Sequence, residues 1–507
     1  MNLAEVLLGA AATTPEAPAL YGPGGVVTFG ELAASSARAA GLLRGHGVGP
    51  DERVGLLAPN SVEFVVGYLA ILRLGATVVP LNPAAPPPEL ARELTTVDPC
   101  TVVVTDRESV PGGTAIRLDL ERLHPEGDGN DGIVARADDD VAVLLFTAGT
   151  AGAPRAAMLT HGNLAANIRQ VHDHPGLRLT PSDVGFAALP LFHVFGLNVV
   201  LGVALAAGAS VVLVDHFDPA ESLALLGRHG VTVLAAVPTM YAAWLALDDA
   251  TAPADAFASV RLAVSGAAAL GRDVADAFRA RFGVVVHEGY GLTEAAPIVA
   301  TTATGPDPRP GSIGAPLPGV EVRVVDADGA DVLAGDPGEI RVRGPNVFAG
   351  YWHDDAATHA VLTDDGWLCT GDIAVVDERG ELHLVDRAKD LVIVSGFNVY
   401  PAEVEEVLMA HPDVAEAAVV GEASARTGEA VVAYVVARPG HVIDVDALAA
   451  HCTRALARYK CPARIEVVDA LPHTLAGKLV RRELRSTPSP DRRSTPSPDR
   501  RSTEPSS

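Results

Sequence analysis

Short runs of β-branched and aliphatic residues recur between residues 76 and 291, and helical stretches separate one run from the next. In chain order they read ATVVPL, TVVVT, VAVLLF, ASVVLV, VTVLAAV, RLAVSG and VVVHEGYG. Most are continuously apolar, which is the pattern of strands buried on both faces between helical layers. A helix–glycine–strand phrase occurs twice, in YLAILRLGATVVPLNP with Gly75 as the stop and in LNVVLGVALAAGASVVLV with Gly208 as the stop. Thr28 and Glu31 have the spacing of a capping box. Together these features predict an α/β fold with largely parallel sheets.

The texture changes after about Pro308. GVEVRVVDADGADVLAGDPGEIRVRGP alternates with period two around Asp-Gly turns, and GDIAVVDERGELHLVDRAKD reads as another hairpin, so an added β-rich subdomain is expected. A compact region follows, with strands in EAAVVG and AVVAYVVA and a helix in DALAAHCTRALARY. The predicted organisation is a large N-terminal domain over 1–386, a hinge at 387–390 and a small, mobile C-terminal α+β domain over 391–485. A tandem octapeptide, Arg485–Arg492 and Arg493–Arg500, is made of serine, proline and charge with nothing apolar to pack, and the 486–507 tail is expected to be disordered.

Composition narrows the function classes. The chain has 507 residues, 48% of them hydrophobic, and a formal net charge of −25. Such an acidic surface repels nucleic-acid backbones and anionic membranes, so neither is an expected partner. An anionic ligand must therefore be met by local cations or backbone N–H groups. Cys100, Cys369, Cys452 and Cys461 lack paired spacing, which argues against a zinc site or disulfide framework and fits a reducing, cytoplasmic setting. MNLAEVLLGAAATTPE has no basic leader and reads as an amphipathic helix. The uncharged stretch 196–214 reads as a buried helix, a glycine stop and a buried strand, not a transmembrane segment.

Several segments carry groups suited to a nucleotide. LLFTAGTAGAPRAAMLTHGN sets Gly149 and Gly152 among the hydroxyls of Thr147 and Thr150, with Arg155 beyond. A glycine-rich turn offers backbone N–H groups to phosphate oxygens, although a tight surface turn has the same composition. HEGYGLTEAAP adds an aromatic face, Tyr290, for a purine, Thr293 for a phosphate, and Glu294 for Mg²⁺, which takes one or two carboxylates plus phosphates and water. WLCTGD offers Asp372 to ribose hydroxyls, VDRAKD offers Arg387, and LPHTLAGKLVRREL puts Lys478 on a glycine turn as a flexible cation.

The ordered series AMLTHGN, ALPLFHVFGL, EGYGLTEAAP, GYW, GWLCTGDIAVVDERG, VDRAKDLVIVSGFNVYPAEVEEVL, GEAVVAYVV and GKLVRREL resembles the adenylate-forming superfamily of acyl-CoA synthetases, adenylation domains and luciferases, and most of all bacterial fatty acyl-CoA ligases. It covers the chain up to about Arg485. The resemblance implies two half-reactions with ATP, Mg²⁺ and CoA: a carboxylate attacks the α-phosphate to give an acyl-adenylate, and a thiol then displaces AMP. It implies Thr147, Gly149, Thr150 and Gly152 on the β- and γ-phosphates, with Arg155 supplying charge. Tyr290 would stack on the adenine, Gly291 beside it would belong to the nucleotide site, Thr293 would lie at phosphate, Glu294 on Mg²⁺, and Asp372 and Arg387 on the ribose. Lys478 would bridge the substrate carboxylate and the α-phosphate. Lys389 matches the hinge position, whose rotation would carry Lys478 away and bring the 395–401 loop to the thiol. His193 matches a position at the acyl entrance, and Phe192, Val237, Met240, Gly266, Ala267 and Gly289 would line the acyl pocket. Malonate-using relatives carry arginine where this chain has Gly289, which points to an apolar acid.

The phosphate loop departs from the family pattern at Ala148, Ala151, Arg155 and Ala156. Ala151 removes a hydroxyl whose bond to a charged group is worth about 1.5–3 kcal/mol. Ala156 would restrict the loop if that position required a glycine's positive φ. The expected activity is an AMP-forming ligase for a medium- to long-chain fatty acid, as monomer or homodimer. An aryl acid, a carrier-protein acceptor, or an impaired nucleotide-binding homologue are the alternatives.

Overall fold

The computed structural model describes residues 1–97, 102–105, 107–110, 113–120, 132–147, 155–305, 307–309, 311–387, 390, 392–394, 397–424, 427–456, 458–473 and 479–485. The chain divides into two compact units, one spanning Met1–Lys389 and one built on Asp390–Thr474 with the segment from Leu479 onward.

The large unit is α/β, as the strand–helix alternation predicts. Its nine-stranded sheet runs, in spatial order, Ala315–Pro316, Ile298–Thr301, Val286–Gly291, Leu262–Ser265, Val233–Ala236, Val184–Ala187, Ser210–Leu213, Pro18–Gly22 and Gly25–Thr28. The central strands are parallel, and antiparallel pairs close both edges. A six-stranded sheet runs Thr114–Ile116, Val102–Thr105, Arg53–Leu57, Thr77–Pro80, Val141–Thr147 and Arg155–Thr160. The antiparallel subdomain expected after Pro308 is a four-stranded meander of Glu321–Val325, Pro337–Arg343, Leu368–Val376 and Leu382–Arg387.

Local signals set the element ends. Thr28 and Glu31 form both bonds of the capping box on the helix Phe29–Gly45. Thr160 and Asn163 form a second such box on His161–Asp173, with Asn163 in the role usual for glutamate. Gly75 and Gly208 stop their helices at φ +70° and +71°. Against these successes, the N-terminal segment is two short helices, Leu3–Leu7 and Gly9–Thr13, rather than one. Asn2 anchors the first: its amide donates to the Leu72 carbonyl at 2.6 Å and the Val134 carbonyl at 2.9 Å. The buried helix before Gly208 opens as a π-helical stretch, Phe195–Gly202, and only then becomes α-helical over Val203–Ala206. Among the described residues no helix is long and apolar enough to cross a membrane.

The small unit has strands Phe397–Val399, Val392–Val394, Gly428–Ala437 and Val414–Ser424, with Arg464–Val467 alongside Gly428–Ala437. The helices Pro401–Met409 and Val445–Ala455 contribute Val404, Leu408, Leu448 and Cys452 to the core of this unit. The second helix ends at Ala455, short of the LARY that the sequence pattern includes. Cys369, Cys452 and Cys461 are free thiols, and Cys100 lies outside the described residues.

Candidate active site

Parallel strands deliver their C-terminal ends to one edge of a sheet, where loops converge. Here Val233–Ala236, Leu262–Ser265 and Val286–Gly291 lie side by side, and they are followed by or contain Val237, Gly266 and Gly289. Val184–Ala187, next in the sheet, leads into the segment with Phe192 and His193. Four of the segments expected around the acid are thus delivered to one sheet edge by the fold. Val237 and Met240 are buried. The His193 ring stands 5.0 Å from that of Phe192, and burial lowers its pKa, so it is neutral at ordinary pH.

Tyr290 and Asp372 come from different sheets and meet. The Tyr290 hydroxyl donates to Asp372 Oδ2 at 2.7 Å, and both residues are buried. Arg387 stands directly across the ladder from Asp372 in the antiparallel pair of Leu368–Val376 with Leu382–Arg387. Gly291 has a plain structural reason: a Cβ there would lie 2.1 Å from the Pro297 carbonyl oxygen.

Thr293 and Glu294 open a single 3₁₀ turn, Thr293–Ala295. The Glu294 carboxylate accepts from the Tyr351 hydroxyl at 2.7 Å on Oε1. Burial, with the Glu294 charge beside it, raises the Tyr351 phenol, so it stays a donor at working pH. Arg155 lies over the same ring, 5.7 Å from its centroid, and its Nε donates to Asp354 Oδ2 at 3.1 Å. One tyrosine therefore joins the candidate metal ligand to the cation of the candidate phosphate loop.

Two strands bracket the candidate phosphate loop. Thr147 and Arg155 face each other across the antiparallel pair of Val141–Thr147 with Arg155–Thr160, while Gly149, Thr150 and Gly152 lie outside the described residues. Lys389 and Lys478 also lie outside them. Ala156 corrects an expectation. It is a strand residue paired with Phe146, buried among apolar side chains, and its φ is not positive, so no glycine is needed there.

Four functional candidates escaped the motif reading. Tyr351 sits inside GYW and was visible there only as part of a pattern. Asp354 caps the helix Asp355–Val361 through Oδ1 while holding Arg155 through Oδ2. Phe195 lies against Gly266, where a Cβ would approach its Cε1 to 2.9 Å. Glu288 is raised to about 7 by burial, although the Leu270 amide donates to it at 3.2 Å and opposes that shift. Apart from the local cap of Asp354 on Ala357, none of these contacts has a sequence spacing that would announce it.

The chain matches two family models: AMP-binding enzyme over residues 8–352, and AMP-binding enzyme C-terminal domain over 403–478. It is 37% identical over 486 residues to 4-coumarate–CoA ligase 5 of Oryza sativa subsp. japonica, covering 91% of this chain and 90% of that one. It is 35% identical over 532 aligned positions to a long-chain-fatty-acid–CoA ligase of Escherichia coli O157:H7, covering 96% and 94%. Among solved structures, o-succinylbenzoate coenzyme A synthetase from Bacillus subtilis, in complex with ATP and magnesium ion, superposes with a TM-score of 0.84 at 32% identity, covering 95% of this chain and 99% of that one.

Proposed function

Because the chain belongs to the AMP-binding enzyme family, within the adenylate-forming superfamily of acyl- and aryl-CoA ligases, we propose that it couples a medium- to long-chain fatty acid to CoA while cleaving ATP to AMP and pyrophosphate. The acid's oxygen attacks the α-phosphorus, the α–β bridging bond breaks, and pyrophosphate leaves. The CoA sulfur then attacks the acyl carbonyl and AMP departs. Both substrates of the first step are anions, and like charges about 4 Å apart repel by roughly 4 kcal/mol at an effective dielectric near 20. In a chain of formal charge −25, local cations must offset that repulsion.

The observation that carries the reading is the junction of Glu294 and Arg155 at Tyr351. It brings the expected metal ligand and the expected phosphate cation together on one ring. No described hydrogen bond reaches Glu294 Oε2, and a carboxylate with one oxygen oriented and one available suits Mg²⁺. Bound there, Mg²⁺ would neutralise phosphate charge. In this reading the 148–154 loop and Thr293 hold the β- and γ-phosphates, and Tyr290 and Gly291 flank the adenine. Asp372, oriented by Tyr290, takes the ribose hydroxyls with Arg387 beside it. Lys478 bridges the two reacting anions, and rotation at Lys389 exchanges it for the thiol-side loop. His193, neutral, stands at the acyl entrance. Phe192, Phe195, Val237, Met240, Gly266, Ala267 and Gly289 present no cation to a second carboxylate, which supports an apolar acid.

A second reading, an aryl acid, is favoured by the similarity to a 4-coumarate–CoA ligase. A panel of C6–C18 fatty acids, benzoates and cinnamates, assayed for pyrophosphate, AMP and acyl-CoA, separates the two. Fatty acids should lead. Turnover of aryl acids alone would replace the first reading by the second, and no acyl-adenylate from any acid would remove both. Lys478→Ala should abolish pyrophosphate release yet largely spare thioester formation from supplied acyl-adenylate.

A further inference from the structure

The backbone just after Thr293 and Glu294 is held in an unusual way. Three buried asparagines from three separate elements reach its carbonyls. Asn346 Nδ2 donates to the Ala295 oxygen at 2.8 Å, Asn198 Nδ2 to the Ala296 oxygen at 2.8 Å, and Asn167 Nδ2 to the Ile298 oxygen at 2.8 Å. Asn167 Oδ1 also accepts from the Ile298 amide at 3.1 Å, so that residue is held at both polar groups. The remaining carbonyls of the segment are taken by backbone: Glu294 by the Phe348 N–H at 2.9 Å and Pro297 by the Leu292 N–H at 3.1 Å. Five consecutive carbonyls, 294–298, are thus each tied to a donor.

Two of the asparagines are also tied to each other, through a glutamine. Asn167 Nδ2 donates to Gln170 Oε1 at 3.0 Å, and Gln170 Nε2 donates to Asn346 Oδ1 at 3.2 Å. This makes a closed relay from Ile298 through Asn167, Gln170 and Asn346 to Ala295. All four amides are at most 5% exposed. Buried amides are costly unless every member is bonded, and a complete network fixes one conformation more sharply than apolar packing does. The surrounding helices are built to admit it. At Gly202, one turn after Asn198, a Cβ would stand 2.9 Å from Asn198 Oδ1, so only glycine leaves room for that amide. The π-helical stretch Phe195–Gly202 carries Asn198, and π-turns re-aim side chains that a regular helix would direct elsewhere.

We infer that Asn198, Asn346 and the Asn167–Gln170 pair are positioning residues for the adenylation half-reaction, holding the turn that presents Thr293 and Glu294 to the Mg²⁺–phosphate end of ATP. The inference rests on the ligase reading above. It assigns these amides no contact with substrate. Their effect passes through the backbone to Glu294, whose side chain is oriented separately by Tyr351. The same frame has no task in thioester formation, because an acyl-adenylate carries no β- or γ-phosphate.

The test compares Asn198→Ala and Asn346→Ala with Val200→Ala, a control that loses buried apolar volume from the same helix as Asn198 without touching the network. Each full-length variant is assayed for pyrophosphate release across a Mg²⁺ titration and for thioester formation from supplied acyl-adenylate. Thermal unfolding and amide exchange in the 292–298 segment are measured without ligands. Loss of an outer-shell partner typically costs about ten- to hundred-fold in metal affinity or activity. The Mg²⁺ midpoint should therefore rise about ten-fold in both asparagine variants, and exchange in 292–298 should accelerate. Thioester formation should hold, and Val200→Ala should keep the wild-type Mg²⁺ midpoint at a comparable loss of stability. Asparagine variants that track Val200→Ala, or that lose both half-reactions equally, would overturn the inference. Should the alanine variants not fold, Asn346→Leu keeps the outline and removes the donor to Ala295 and the acceptor for Gln170 without burying a charge, and the same comparison applies. A wild-type protein that releases no pyrophosphate with any acid defeats the ligase reading instead. The exchange comparison then still decides whether the amides hold the turn: unchanged protection in 292–298 would refute it.

Discussion

The Tyr290 hydroxyl donates to Asp372 Oδ2 at 2.7 Å. The bond crosses from the parallel-rich sheet to the antiparallel meander, so it orients a carboxylate in one subdomain from a ring in another. A hydrogen bond to a charged group is worth about 1.5–3 kcal/mol. Tyr290→Phe keeps the ring face and removes that bond. It should raise the KM for ATP about ten-fold with little change in kcat, read by steady-state pyrophosphate release. An unchanged KM would mean that the orientation of Asp372 does not matter for nucleotide binding.

Much of this arrangement was legible in the residues, for local reasons. Apolar runs between helical stretches fixed the parallel strands, period-two alternation fixed the meander, and the capping box at Thr28 fixed a helix start. These signals depend on neighbours within a few positions. The site candidates Thr293, Glu294 and Asp372 were legible as a pattern of residue types. The contacts around them were not: Tyr351 reaches Glu294 from 57 positions away, Asn167 reaches Ile298 from 131, and Asp354 reaches Arg155 from 199. Ala156 follows a glycine-rich run that has the composition of a loop, yet the chain there is a buried strand. Apolar periodicity runs through Leu8 and predicts a single N-terminal helix, yet the backbone departs from helical geometry at that residue.

Arg155, the proposed phosphate cation, is about one-third exposed and paired with Asp354, which in that role would compete with phosphate for it. Pairs this exposed are worth about 0.2–1 kcal/mol. Asp354→Asn keeps the Oδ1 cap on the helix Asp355–Val361 and removes the competing charge. ATP affinity, measured by calorimetry with Mg²⁺, should improve about two- to five-fold, and the melting temperature should move little. Weaker binding would show that Asp354 orients Arg155 toward the nucleotide instead of holding it back.

Phe195 fills the space that Gly266 leaves open. If the acid enters along this edge of the sheet, the ring limits how far it can reach. Phe195→Ala should shift the preferred acid to a longer or bulkier one, with kcat/KM for such acids rising about ten-fold relative to shorter ones. That is the scale of adding room for a methylene or two in an apolar pocket. A profile that falls uniformly across chain lengths would assign Phe195 to packing alone.

His161 links stability to pH. Its Nδ1 accepts from the Leu3 amide at 3.0 Å, so the neutral ring carries its proton on Nε2. Protonating Nδ1 would set one N–H against another in a fully buried site. Burial first, then the nearby Arg136, lowers the pKa to about 4, with Asp140 partly opposing. The unfolded chain, with a histidine pKa near 6.5, takes up the proton first. The neutral ring therefore favours the fold fully above about pH 6.5, and that contribution is lost as pH falls toward 4. The full difference is on the order of 3 kcal/mol. Urea unfolding between pH 7 and 4 should show this slope, and His161→Gln should flatten it. Amide exchange should place the early acid loss at the N-terminal helix Leu3–Leu7, which the histidine holds. If the wild-type slope persists in His161→Gln, another group governs acid stability and the docking of that helix is independent of the imidazole.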